Sequence, residues 1–361
     1  MESVVNENDS FQIRLCKILN QNCLNKNMIV SPLSVYIILT VCANGAKGET
    51  LSQMIKTLSP KSKTISQLNK ECLKIIQILS VTKSVKVANA VMSKIDIEKT
   101  FKDKCKQFQA EIDSLRSVSQ VNKWCADKTN NKITEIIDSI DGVDVLLLNA
   151  VYFLCNWQKK FNKNYTHEAQ FNCSDISTIQ YQRMKFEDDK VLYAETKEYQ
   201  IVQLDYVEKK LNAIIILPRQ NNIDDFIQSL TQDKLKQMIK SMRKNMVVLY
   251  LPRFELKYQT TLESILSQMG MSDAFEKEKA DFGDMVKNNS YSIDRITHKT
   301  YIKVDEEGTE AAAVTAVGAS CSGLGPSKYY MDVNHPFLFI IRHSSLDEHY
   351  LFISKVEKVV N

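Results

Sequence analysis

Near residue 145 the apolar residues of this chain change their period, and that change limits the folds open to it. Before it, apolar side chains recur at three- and four-residue spacing in "LSQMIKTL" and "TISQLNKECLKIIQILS", which predicts amphipathic helices. "SPLSVYIILTVCANGAKGET" opens on Ser31-Pro32, a good cap and first-turn pair, and runs apolar to a break at Gly45 and Gly48. After it come short β-rich runs, "VDVLLLNAVYFL", "YQIVQLDYV", "LNAIIILP" and "NMVVLYLPRFEL", bounded by Pro, Asn or charge. A helix returns at "TTLESILSQMG", closed by Gly270. The tail, "HPFLFIIRHSS" and "HYLFISKVEKV", reads as two strands around a polar turn. Helices crowded early and strands crowded late predict an α+β class. With nine glycines, six prolines and no Ser/Gly/Pro linker, residues 1–361 are expected to form one domain without internal repeats.

Charge narrows the function. Lys+Arg exceed Asp+Glu by four, and the basic residues are scattered, so neither nucleic acid nor a membrane surface is indicated as a partner. Lys56, Lys61, Lys63 and Lys70 read as a solvated face rather than a polyanion site. "MESVVNENDSFQIRL" has no basic start followed by an apolar run, so no secretory signal is expected, and no stretch reaches the roughly 18 apolar residues of a membrane span. Nine widely spaced cysteines without a Cys-x-x-Cys pair suit buried small hydrophobes in a reducing compartment, not a disulfide framework or zinc. The five histidines fit no metal spacing, and no phosphate loop is present, so no metal or cofactor is expected. "GASCSG" at Gly318–Gly323 has the outline of a nucleophile elbow but puts Ser322 where a glycine is needed. An enzyme is disfavoured.

One stretch follows neither period. "VDEEGTEAAAVTAVGASCSGLG", Val304–Gly325, is long, small and uninterrupted by proline. In period two, Thr309, Ala311, Ala313, Thr315 and Val317 share a small uncharged face, and Glu310, Ala312, Val314, Ala316 and Gly318 share the other. Propensity alone favours an alanine-rich helix over Thr309–Ala316. The glycines at both ends, Val314, Thr315 and the lack of an apolar stripe argue instead for a segment exposed in one state and a buried strand in another.

"EEGTEAAAVTA", Glu306–Ala316, resembles the hinge of the serpins, the metastable protease inhibitors. Further blocks resemble the same family in order: "NMIVSPLSVYIILTVCANGAKGET", "VANAVM", "VNKWCADKTNNKI", "LLNAVYFLCNWQKKFNKNYT", "LYLPRFEL", "ITHKTYIKVDEEGTE" and "NHPFLFIIRH". The resemblance implies eight to nine helices and three sheets, the central one five-stranded, with a reactive loop at about 308–328 standing outside them. It implies a hinge of Glu307, Gly308, Thr309, Glu310, Ala311, Ala312, Ala313, Val314 and Thr315. It further implies a polar cluster of Ser31, Ser34, Asn149 and His298 under the middle strands, and Trp157 where the hinge enters. Asn131 and Ser354 stand where the family usually has glycine.

The function so implied is suicide inhibition of a chymotrypsin-fold serine protease. The protease attacks the loop, forms an acyl-enzyme, and is carried off when the cut loop inserts as an extra central strand. Fourteen residues at roughly 3.3 Å each would move it about 45 Å and distort its triad. Counting fourteen residues past Gly308 puts the bait bond at Ser322-Gly323, with Leu324-Gly325 second; the first suits an elastase-like pocket, the second a chymotrypsin- or cathepsin-G-like one. The alternatives are a non-inhibitory carrier or chaperone, disfavoured by Ala311-Ala312-Ala313, and a cross-class inhibitor of cysteine proteases. A monomer is expected, cytoplasmic and open to non-classical secretion.

Overall fold

The computed structural model describes residues 9–60, 63–286, 291–309 and 328–359. Nine α-helices and sixteen strands are found among them. The N-terminal part holds α1 (Phe11–Asn22), β1 (Met28–Val30), α2 (Pro32–Ala43), α3 (Gly48–Leu58), α4 (Ile65–Val81), β2 (Val85–Ser93), α5 (Lys99–Gln107), β3 (Ala110–Ser114) and α6 (Val118–Lys128). From residue 145 come β4 (Val145–Phe153), β5 (Cys155–Asn156), β6 (His167–Asn172), β7 (Thr178–Glu195), β8 (Tyr199–Asp205) and β9 (Leu211–Pro218). Then follow α7 (Ile223–Ser229), α8 (Gln232–Ser241), β10 (Arg243–Pro252), β11 (Phe254–Thr261) and α9 (Glu263–Gln268). The chain closes with β12 (Arg295–Val304), β13 (Gly308–Thr309), β14 (Tyr329–Asp332), β15 (Phe337–His343) and β16 (Tyr350–Val356). The change of period at residue 145 is thus a change of element type, although β1, β2 and β3 precede it.

Contacts divide the chain into two compact units. The first runs to Leu19 and adds Val30–Tyr152 and Lys257–Tyr301; the second comprises Asn20–Ile29, Phe153–Leu256 and Ile302 onward. In the first, β2 pairs with β3, and β4 lies parallel to β12 from Leu146 opposite Arg295 to Tyr152 opposite Tyr301. With β11 against β12, this gives a central sheet of five long strands, β3-β2-β4-β12-β11. At its middle, β4 is covered on both faces: every one of its residues is buried. Val121 and Cys125 of α6 pack on Leu146, Leu148 and Ala150 of β4. All twelve residues of α2 are buried as well. In the second unit the ladder β16-β15-β9-β8-β7-β10-β14 is continuous through the eighteen-residue β7.

Two local expectations change. Ser31 precedes α2, but its hydroxyl makes no cap bond and has no hydrogen-bond partner among the described residues; Pro32 alone sets the first turn. Asn131 keeps a family glycine's conformation: Asn130 and Asn131 both have positive φ, at 51° and 59°, the left-handed region that asparagine tolerates best after glycine. Ser354 is fully buried opposite Phe339, and its hydroxyl has no hydrogen-bond partner among the described residues. All eight described cysteines are buried, and burial pushes the Cys105 and Cys125 thiols up to about 12.

Candidate functional site

Two polar clusters carry the predicted residues, one in each unit. In the first, β12 presents His298 and β4 presents Asn149, directly opposite each other in the parallel register. The backbone N–H of Ser31 donates to His298 Nε2 at 3.1 Å. That leaves the ring proton on Nδ1, which donates to Asn149 Oδ1 at 2.6 Å. The two amide hydrogens of Asn149 then go to Ser34 Oγ and, at 2.6 Å, to Asn89 Oδ1. The ring proton of His298 and both amide hydrogens of Asn149 have acceptors, and Ser31, Ser34, Asn149 and His298 are all at most 1% exposed. The four residues predicted as a cluster do meet, and Asn89 of β2 joins them.

The network admits one ring proton, not two. Burial lowers the His298 pKa to about 3, well under the ordinary value of 6.5. A depressed histidine contributes stability that is complete above the unfolded pKa. As pH falls through about 6.5 toward 3, the unfolded state takes up the proton first, and stability falls by about 1.4 kcal/mol per pH unit. His335 and His343 are also lowered by burial and add to the slope. The expected result is that His298→Gln has a shallower loss of denaturation midpoint between pH 7 and pH 4.5 than the parent. Parallel slopes would remove His298 from the titration.

In the second unit the approach to the predicted hinge is held from several sides. Asp305 Oδ1 accepts from the N–H groups of Glu307 and Gly308, at 2.9 and 3.3 Å, and fixes a turn. Trp157 donates its backbone N–H to Glu307 O at 2.9 Å and its indole N–H to Asp305 O at 3.0 Å. Its ring stacks on Tyr206, centroids 4.5 Å apart. Glu306, 1% exposed, takes two bonds from Arg253 at 2.6 and 2.8 Å and one from Thr166 at 2.6 Å. Burial raises its pKa, but these three bonds outweigh that and hold the carboxyl below the usual range. Glu307 sits between Lys160 at 2.5 Å and Lys163 at 2.9 Å, which hold its carboxyl low in the same way.

Beyond this turn, Gly308 and Thr309 form β13, paired antiparallel with β5 on one side and with Val304 of β12 on the other. Thr309 is fully buried and hydrogen-bonds Tyr206 at 2.6 Å. Gly308 is required by close approach. An added Cβ would lie 2.3 Å from the Cys155 carbonyl oxygen and 2.6 Å from Asn156 Cα, both backbone atoms. Gly308→Ala is therefore expected to unseat β13, at a cost on the order of 3 kcal/mol read as a lowered denaturation midpoint of the uncut protein. A variant as stable as the parent would show that the strand has room the geometry denies it.

Of the predicted hinge, Glu307, Gly308 and Thr309 are placed here. Glu310, Ala311, Ala312, Ala313, Val314 and Thr315, with the bait candidates Ser322, Gly323, Leu324 and Gly325, lie outside the described residues. Asn89, Tyr206, Arg253, Lys160, Lys163 and Thr166 were not singled out from the sequence. Only Asn89 left a signal there, as the one polar residue in "VANAVM".

A family model described as "Serpin (serine protease inhibitor)" matches residues 6–359. Serpin B8 of Homo sapiens is 33% identical, over 95% of this chain and 96% of its own. The leukocyte elastase inhibitor of Xenopus laevis is 32% identical, over 96% and 97%. The native crystal structure of tengpin, a thermophilic serpin, superposes with a TM-score of 0.89 at 30% identity, covering 98% of this chain and 93% of that one. Human thyroxine-binding globulin gives the same TM-score at 21% identity, a likeness of fold alone. With a family model matching residues 6–359 and a relative of 33% identity over nearly the whole chain, the five-stranded sheet is that of a known fold and the chain belongs to the serpins.

Proposed function

We propose that this serpin inhibits serine proteases of the chymotrypsin fold by offering the loop after Thr309 as a substrate and trapping the acyl-enzyme when the cut loop enters the central sheet. The observation that carries this reading is a register. Thr309 faces both Val304 and Cys155, whose numbers differ by 149, and Arg295 faces Leu146 with the same difference (304 minus 155; 295 minus 146). β12 and β5 therefore part around β13 without slipping from the alignment that β12 keeps with β4. A strand continuing β13 would run down between β4 and β12 with each residue already assigned a partner on both sides. The buried side of Thr309 selects the small face, Ala311, Ala313, Thr315 and Val317, to point the same way.

The bait bond is assigned to Ser322-Gly323, with Leu324-Gly325 second. A small side chain fits a shallow primary pocket, and a relative of 32% identity is named for inhibiting leukocyte elastase. The protein acts as a cytoplasmic monomer, with release by a non-classical route compatible with the same chemistry. Incubation with elastase, chymotrypsin, cathepsin G and trypsin, followed by electrophoresis in boiling detergent, tests the reading. A stable covalent complex with one of the first three is expected. Mass spectrometry of the released C-terminal peptide then places the bond: a fragment starting at Gly323 supports the first assignment, and one starting at Gly325 the second. Cleavage by all four enzymes without complex would defeat the inhibitory reading.

A further inference from the structure

Among the described residues of the second unit, three aromatic side chains stand in solvent: Tyr165 at 57% exposure, Tyr329 at 36% and Tyr330 at 62%. A band of contacts joins the first to the last. Lys185 Nζ lies 5.5 Å from the centre of the Tyr165 ring and 3.4 Å from Glu187 Oε2. The other oxygen of Glu187 takes Lys328 Nζ at 2.8 Å. Tyr330, two residues on, shares a face of the sheet with Val248 of β10 and, beyond it, Glu187 of β7. Both ends of the band are held. Thr166, beside Tyr165, hydrogen-bonds Glu306 at 2.6 Å, and the Tyr330 carbonyl accepts from Gln200 Nε2 at 2.8 Å. Grouped exposed aromatics, unlike single ones, mark contact surfaces.

We infer that this band is an accessory docking surface for the protease that attacks the loop, an inference that rests on the inhibitory reading. What places the protease there is where the loop begins and ends. Eighteen residues lie between Thr309 and Lys328, and the bait bond is assigned within them. Tyr165 flanks the start of that segment, through Thr166 and Glu306, and Tyr330 follows its end. From Gly323 to Tyr330 is seven residues, at most about 25 Å of chain. A globular enzyme of about 200 residues has a radius of gyration of roughly 16 Å, so one bound at the bait bond extends as far as the band. Lys185 and Lys328 are both paired with Glu187, which leaves the rings rather than the charges to make the contact. Tyrosine offers a large, stiff, amphipathic surface at little entropic cost, and such residues dominate interface energies. The matching surface is an apolar rim beside the protease cleft. A contact made there before the bait bond is cut adds affinity to the first complex and leaves strand insertion alone.

The test uses the intact protein with elastase, chymotrypsin and cathepsin G. The second-order rate constant of complex formation is the trapping rate divided by the dissociation constant of the first complex. A weaker dock therefore lowers it without changing the ratio of complex to cleaved inhibitor. With the enzyme that is trapped, Tyr330→Ala is expected to slow complex formation about five-fold, the double variant Tyr165→Ala/Tyr330→Ala about ten-fold, and Tyr330→Phe, which keeps the ring, less than about two-fold. The loss should persist at high salt, and the melting temperature and its gain on cleavage should match the parent. Val207→Ala, at another exposed apolar residue, should leave the rate unchanged. If the parent forms no covalent complex with any of the three enzymes, the inhibitory reading fails and this inference with it. If complex forms and the double variant matches the parent's rate, this inference alone fails. A loss that salt abolishes, a changed ratio of complex to cleaved inhibitor, an equal loss with Val207→Ala, or a parent dimer that the double variant breaks would also overturn it.

Discussion

Cutting the loop at any bond between Ala316 and Leu324 is expected to raise the melting temperature of this protein by more than about 10 °C. Intact, the seam between β4 and β12 is closed by direct pairing over seven residues of each strand. Once cut, the residues after Thr309 can pair with both strands and bury the small face begun by Thr309. Ten residues gaining ladder bonds on two sides contribute on the order of 5–10 kcal/mol net, and each 1 kcal/mol moves the midpoint of a domain this large by roughly 2 °C. Differential scanning calorimetry before and after limited proteolysis reads the effect directly. A midpoint that stays or falls would mean that the sheet does not accept the strand, and the protein would then be a non-inhibitory serpin.

Replacing Thr315 with Arg is expected to turn an inhibitor into a substrate. Thr309 faces Val304 and Cys155; an inserted strand that kept this register would bring Thr315, six residues further along, opposite His298 and Asn149. An arginine there would place an unpaired charge beside the buried His298–Asn149 pair, which offers it no carboxylate, at a cost of roughly 3–5 kcal/mol. Insertion would slow and hydrolysis of the acyl-enzyme would win. Thr309→Arg is less informative, since Thr309 is already buried against Tyr206 and its loss would also weaken the uncut protein. The comparison to make is the ratio of covalent complex to cleaved inhibitor for Thr315→Arg, together with the gain in melting temperature on cleavage. If both match the parent, the register assigned to the inserted strand is wrong.

Much of the architecture was legible because period and burial coincide. β4, β8, β9, β15 and β16 lie within the apolar runs predicted as strands, and α9 ends at Gln268, two residues before Gly270, whose φ is 100°. What escaped was one-sided or non-local. β6 and β7 carry apolar residues on one face only and are broken by charges such as Glu187, Asp188 and Asp189, so no continuous run marks them. His298 and Asn149 could be paired through the family resemblance. Asn89 could have been found by asking why an apolar strand holds one amide. Tyr206 and Arg253 gave no such sign, because their partners Thr309 and Glu306 are 103 and 53 residues away and only the strand pairing brings them together.

The two residues of β13 also bear on speed. Starting a strand is the slow part of building one, because the first pairings order the backbone before neighbouring bonds reward it. Here the first pairing on each side exists before any protease arrives, and Gly308 and Thr309 are the seed. Growth from a seed in fixed register needs no search among alignments, and hairpin-like additions proceed in microseconds. Deacylation by a typical protease turns over in milliseconds or longer. On the proposed mechanism the contest with hydrolysis would be weighted before it begins, and its margin would be set by how fast β4 separates from β12.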